Sequence, residues 1–153
     1  MTASTDSGAS FVLLQLGSQR FALPAMVIAE LAPPVQLHSF PHTSPLLCGV
    51  IIRRSRIVPV YDASPILTGG RSSAHRFYLI ARRTFGKASE LSAIPVDGEC
   101  ELVSGEMQPA ALQDPEYVKG RIAVGEDLVT VLDFEALVHQ QPASTSAGAA
   151  VLS

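Results

Sequence analysis

Two stretches of this chain match each other at a constant separation of 71 residues. Pro24 and Pro95, Glu30 and Glu101, Leu31 and Leu102, and Gly49 and Gly120 all keep that offset. So do Ile51 and Ile122, Val58 and Val129, Val60 and Val131, and Asp62 and Asp133. The match is densest in GVIIRRSRIVPVYD (49–62) and GRIAVGEDLVTVLD (120–133), each opening on Gly and closing on Asp. Valines align cheaply in any strand-rich chain, but a shared Pro, Glu, Gly and Asp do not. The pattern reads as two copies of one β unit of about 50 residues. A small SH3-like barrel of five strands has that size, so two of them sharing an aliphatic seam use the folded part of the chain. Apolar residues make up 47% of the 153 and Trp is absent, so the core is built from Val, Ile, Leu and Ala. At this length folding hides roughly 68–70% of the unfolded surface, enough to need no covalent staple.

Local signals fill in the two units. FVLLQL (11–16), the turn at 17–20 and FALP (21–24) read as a hairpin. AMVIAEL (25–31) lacks strict alternation and reads as a short helical turn. PPVQLHSFPHTSP (33–45) is a Pro-rich connector, and TGGRSSAH (68–75) is a loop by composition. RFYLIA (76–81) and SAIPV (92–96) form a second hairpin with RRTFGKASEL as a long tip. ELVSGEMQPAAL reads as strand then turn. Asp133 reads as the N-cap of a helix over DFEALV (133–138). Pro59 has no N–H to give to a ladder, which places it on an edge or at a bulge. Residues 1–9 and 139–153 are rich in Ser, Ala and Gly and read as disordered, leaving a folded unit over 10–138. The fold class expected is mostly β: two five-stranded SH3-like barrels with a common hydrophobic core and short helices.

The charges are unevenly placed. Residues 53–87 hold eight of the eleven basic residues and one acid, Asp62. From Glu90 to Glu135 there are eleven of the fourteen acids and two basic residues. Such separation gives a binding surface with a sign. The first hairpin carries Arg54-Ser55-Arg56 at its tip where the second has Gly125-Glu126-Asp127. A tight turn favours a residue that tolerates positive φ, which Gly does freely. The first tip has no Gly, so it is either wider or strained, as a tip kept for contact would be.

No catalytic constellation stands out. No serine lies in G-x-S-x-G, no Gly-rich phosphate loop follows a strand, and no calcium-loop spacing occurs. His38 and His42 flank Pro41, which argues against one helix face and a shared metal. Cys48 and Cys100 lie far apart and outside any C-x-x-C pair, as expected for reduced thiols in a cytoplasmic protein. The first ten residues have no basic or apolar run of the kind that directs secretion, and no run is long enough to span a membrane. The expectation is a non-enzymatic protein without cofactor or metal.

The order FVLLQLGSQRFALPAMVIAEL, GVIIRRSRIVPVYD, IPVDGE and GRIAVGEDLVTVLDFEAL resembles the CheW-like domain, the adaptor domain of bacterial chemosensory systems. The most specific pieces are Gly49-Val50-Ile51, Arg54, Ile57-Val58-Pro59-Val60, Asp62, Val96-Asp97 and Leu132-Asp133. The resemblance implies two SH3-like barrels around a shared core and no catalysis. It implies a bridge between the tips of methyl-accepting chemoreceptors and the regulatory domain of a CheA-type histidine kinase. Carried over by residue, it puts Ile28, Arg54 and Leu102 in the receptor groove and Glu30 and Gly49 near the kinase-contacting edge. The chain also departs from the family. The usual Asn-Leu-Arg-Gly is Ile52-Arg53-Arg54-Ser55, the Leu after Asp62 is Ala63, and the apolar position in VDGE is Glu99. A drifted tip fits a specialised adaptor, for instance in pilus-based motility. The alternative is a nucleic-acid-binding double barrel using Arg53, Arg54, Arg56, Arg82 and Arg83. Against it stand the net charge of −3 and the shortage of aromatics near those arginines.

Overall fold

A computed structural model describes residues 9–39, 46–69, 77–85, 88–98 and 100–138 of the chain. The termini, His42, His75, His139 and most of the loop at 68–75 lie outside the described residues. The elements in order are β1 (Ala9–Leu16), β2 (Gln19–Pro24), a single 3-10 turn (Ala25–Val27), β3 (Ile28–Ala32), β4 (Leu47–Arg53) and β5 (Arg56–Tyr61). There follow α1 (Ser64–Leu67), β6 (Phe77–Phe85), β7 (Ala88–Val96), β8 (Glu101–Gly105), β9 (Gln108–Pro109), β10 (Val118–Val124), β11 (Asp127–Leu132) and α2 (Phe134–Val138). They form two sheets, ordered β8-β1-β2-β11-β10-β9 and β3-β6-β7-β5-β4.

The repeat is present in the pairing itself. The parallel contact Val60↔Ala93 is matched, 71 residues on and back, by Val131↔Ala22. Leu31↔Leu79 is matched by Leu102↔Val12, and Glu30↔Ile80 by Glu101↔Leu13. The bulge between Leu47 and Gly49 recurs between Val118 and Gly120. The copies also exchange parts. The hairpin β1–β2 from the first half pairs with β8 and β11 of the second, and β6–β7 pairs with β3 and β5 of the first. Each barrel therefore contains strands from both halves.

That exchange explains why FVLLQL and FYLIA are nearly continuous apolar runs. Successive side chains on a strand point to opposite faces, and both faces of these hairpins are covered. Leu13 and Ala22 face one barrel interior with Ile122, Val129 and Val131. Ile80 and Ala93 face the other with Ile51, Val58 and Val60. Their neighbours Leu14, Leu16, Phe21, Leu23, Leu79, Ala81 and Ile94 meet in the seam, with Leu132, Phe134 and Leu137. Fully burying each such Leu or Ile contributes about 1.5–3 kcal/mol, so the seam holds the barrels as firmly as their own interiors do.

The structure refines several readings. Residues 25–31 make only one helical turn before β3 begins. The supposed long tip of the second hairpin is ladder instead, with pairing out to Phe85↔Ala88. Pro59 is not on an edge strand; β5 lies between β7 and β4. From the closing pair Arg53↔Arg56, pairs alternate in bonding, which makes Val50↔Pro59 a non-hydrogen-bonded pair. The missing N–H therefore points toward β7, whose pairing with β5 is confined to Val60↔Ala93. Asp133 does begin α2: its Oδ1 accepts from Ala136 N at 3.2 Å. Asp62, its counterpart, accepts from Ser64 N at 3.0 Å one residue before the Ala63 N-cap of α1, a helix with no signal in the sequence reading. No helix among the described residues is long and apolar enough to cross a membrane.

Candidate functional site

The tip of the β4–β5 hairpin is a two-residue turn in which both residues are left-handed, Arg54 at φ 53° and Ser55 at φ 66°. The turn is thus tight and strained. Two left-handed residues match the right-handed twist of the strands, but a side chain there is costly, on the order of 1 kcal/mol each. The opposite tip relieves this with Gly125 at φ 63°.

Glu30 on β3 organises the charges beside this tip. Its Oε2 accepts from Arg53 Nε at 2.9 Å and lies 2.7 Å from Arg53 Nη2. Its Oε1 accepts from Arg54 Nε at 3.4 Å. Burial pushes the Glu30 carboxyl up, but the Arg53 hydrogen bond and the charges of Arg53 and Arg54 outweigh it and hold the group below its ordinary 4.5. β3 and β4 are the two outer strands of their sheet, so the Glu30–Arg53 pair clasps the barrel shut at its rim. Arg53 takes the stronger contacts. The Arg54 side chain remains 76% exposed, tethered to Glu30 only through Nε.

The other candidate residues fall around this clasp or across the pseudo-twofold from it. Ile28 begins β3, packs half-buried against the seam, and its carbonyl accepts from Arg82 Nη1 at 3.1 Å. Leu102 lies on β8, the matching outer strand of the other sheet, and is 69% exposed. Ile28 and Leu102 thus flank the two-barrel body on symmetry-related outer strands. Gly49 is buried at φ 154°, where an added Cβ would stand 2.6 Å from the His38 carbonyl oxygen. The close approach lets His38 and Val50 exchange two backbone hydrogen bonds, 2.8 and 2.9 Å, which close the barrel behind Glu30. Gly49 therefore shapes this edge through its backbone.

Two features of the surroundings escaped the sequence reading. Arg83 is buried and forms two hydrogen bonds to Glu135 on α2 while lying over the Tyr61 ring. Asp97 accepts from Gly17 N through its carboxylate and donates its own N–H to the Gln15 carbonyl at 2.9 Å, pinning the β1–β2 turn to the end of β7. The Asp of the VDGE stretch is thus a brace between the halves. Of the five arginines considered for nucleic acid, Arg83 and Arg53 are consumed by internal carboxylates and Arg82 is held at Ile28.

Cys48 and Cys100 are free and partly buried, and burial pushes the Cys100 thiol up to about 11. No cluster of three or more His, Cys, Asp or Glu side chains able to hold a metal occurs among the described residues.

The fold has a counterpart of known structure. The crystal structure of the scaffolding protein TtCheW from Thermoanaerobacter tengcongensis aligns with a TM-score of 0.72 at 18% identity, over 85% of this chain and 87% of that one. No curated protein sequence matches the chain significantly. The model of the CheW-like domain matches residues 10–141, and with that span, which takes in both barrels and the clasp, the chain belongs to the CheW-like domain family.

Proposed function

We propose that this protein is a non-catalytic adaptor of a bacterial chemosensory system, working in the cytoplasm to couple chemoreceptor tips to the regulatory domain of a CheA-type histidine kinase. The observation that carries this reading is Arg54, held by a strained turn and the Glu30 tether with its side chain largely exposed. A receptor tip is helical, so apolar surface and a cation suit it: Ile28 and Leu102 supply apolar surface and Arg54 binds carboxylate or carbonyl oxygens. The barrel rim formed by Glu30 and Gly49 is the kinase-facing edge in this reading. The altered tip favours a specialised pathway such as pilus-based motility. Each interface is small, and the many copies in an array supply the rest of the affinity.

The test is Arg54→Glu in pull-downs with receptor tips and kinase regulatory domains encoded in the same genome. Loss of capture with an intact melting curve is the expected result. Undiminished capture of both by a folded variant refutes the assigned role of Arg54. Nucleic-acid binding is the weaker reading, since internal carboxylates already occupy Arg53 and Arg83.

A further inference from the structure

A cleft of about 330 Å³ opens beside the second barrel, between the start of β1, the end of β2 and the bulge in β10. Phe11, Pro24, Met26 and Met107 give it apolar walls, and the polar residues of its lining are Ser10 and Lys119. Phe11 is buried against the barrel interior, whereas Met26 is 83% exposed. Met107 sits there because residue 120 is Gly: an added Cβ would stand 2.7 Å from the Met107 Cγ.

The fold does not require this opening, because the first barrel treats the same positions differently. The pairs Phe11↔Pro24 and Tyr78↔Pro95 set Tyr78 where the second barrel has Phe11. Asp97 takes the place of Met26, and its carboxylate is tied to Gly17 N. Val96 takes the place of Ala25 and is fully buried. Cys48 takes the place of Lys119, and its thiol donates to the Val60 carbonyl at 3.5 Å.

Lys119 is the extra residue of the β10 bulge, between the pairs Val118↔Leu132 and Gly120↔Val131. A bulge re-aims the side chain it carries, here along the rim of the cleft. Between Glu90 and Glu135 the chain has two basic residues, Lys119 and Arg121. Asp114 takes Arg121 through two hydrogen bonds, while Lys119 forms no ion pair among the described residues. An uncompensated cation therefore stands beside an apolar cleft in an otherwise acidic half.

We propose that this cleft binds a small amphipathic anion, an aliphatic carboxylate whose chain covers Phe11, Met26 and Met107 and whose charge meets Lys119. The volume lies at the low end of small-molecule sites, about 300–1,000 Å³, and an apolar wall with few polar groups is their usual lining. The two thioethers are flexible enough to follow an alkyl chain. An added peptide strand does not suit the place. Phe11 is already paired with Val103 and Pro24, and Gly120 with Pro109 and Val131, so the backbone here is taken. The inference uses neither receptor nor kinase, so it stands or falls apart from the adaptor role.

Heteronuclear NMR of the isotope-labelled full chain tests it by titration with sodium octanoate, with octanol and octylammonium as the uncharged and oppositely charged chains. Octanoate is expected to give saturable shifts centred on the amides of Phe11, Met26, Met107 and Lys119. Half-saturation on the order of 1 mM is expected for a ligand of about ten heavy atoms. Octanol should bind about fivefold more weakly, since an exposed ion pair contributes little more than that, and octylammonium should not saturate. Lys119→Gln should lower octanoate affinity to that of octanol and leave octanol unchanged, while Lys119→Arg restores it. Met26→Ser should weaken both ligands. Lys119 and Met26 are exposed, so all three variants should keep the wild-type melting curve. No saturation by about 10 mM octanoate overturns the proposal. So do shifts centred elsewhere, equal binding of octylammonium, or a folded Lys119→Gln that binds octanoate as the wild type does.

Discussion

Arg83 and Glu135 meet through two parallel hydrogen bonds, Nε to Oε1 and Nη2 to Oε2, each 3.0 Å. The pair joins β6 to α2, the helix that follows β11 of the other sheet, and so ties the end of the second half to the barrel built largely from the first. Arg83 is only 7% exposed, and its guanidinium carbon lies 5.7 Å from the Tyr61 ring centroid. Among the described residues no matching ion pair holds α1, so this brace breaks the pseudo-symmetry.

Arg83→Met should therefore destabilise the protein by about 2–3 kcal/mol, less than a fully buried pair because Glu135 remains partly in water. Glu135→Gln alone should cost less, since its amide can still accept one hydrogen bond. Urea unfolding of the two single variants and the double variant checks this. If the losses simply add, with no coupling between the two sites, the brace contributes nothing.

Gly49 and Gly120 make a second matched pair. A Cβ at Gly120 would lie 2.3 Å from the Gln108 carbonyl oxygen, as one at Gly49 would lie 2.6 Å from that of His38. In both cases the obstacle is backbone, which cannot swing aside. Ala at either position should lower stability by more than about 2 kcal/mol, from overpacking and lost barrel closure. Gly98, with nothing within 4 Å of the added atom, is the control expected to tolerate Ala. Comparable melting temperatures for the variants at 49 and 98 would show that the approach to His38 is unimportant.

The turn at Arg54–Ser55 stores strain that can be removed. Ser55→Gly leaves Arg54 in place and relieves a left-handed side chain at φ 66°. It should raise stability by about 0.5–1 kcal/mol, the gain at the turn exceeding the entropy that Gly adds to the unfolded chain. A thermal melt reads this directly; an unchanged or lowered midpoint would mean that the turn is unstrained.

What the sequence revealed and what it hid divide along physical lines. The 71-residue offset marked both hairpins, because Gly49 and Gly120 answer to local sterics that any copy must satisfy. Asp133 was legible as a cap for the same reason. The exchange of hairpins between barrels was not, since pairing partners far apart in the chain leave no local trace. β6 and β7 were cut short because Arg82 and Arg83 interrupt the apolar pattern, and only Glu135, 52 residues on from Arg83, shows why one of them is buried. α1 hid behind Ser64-Pro65, although the Asp62 carboxylate accepts from a backbone N–H at its start as that of Asp133 does at the start of α2. At the candidate site, Arg54 and Glu30 were each named but assigned to different partners. The structure brings them together, and Arg53, which the family pattern gave no reason to single out, proves to hold Glu30 most tightly.

Acid should unfasten two clasps. The Arg121 hydrogen bond, then that from Ala111 N–H, hold the Asp114 carboxyl down at about 2, against an ordinary 3.8. Glu30 is likewise held below its ordinary 4.5. Both are carboxylates whose folded pKa is depressed, so the unfolded chain binds protons first and stability falls with falling pH. For Asp114 the contribution is complete above 3.8 and disappears as pH drops through about 2. For Glu30 the loss begins from 4.5 downward. The double variant Glu30→Gln/Asp114→Asn should start less stable at neutral pH and show a flatter decline below pH 4.5 than the wild type. Chemical denaturation across that window measures the slopes. Parallel slopes in the two proteins would mean that neither carboxylate is bound more tightly to its arginine in the folded chain than in the unfolded one.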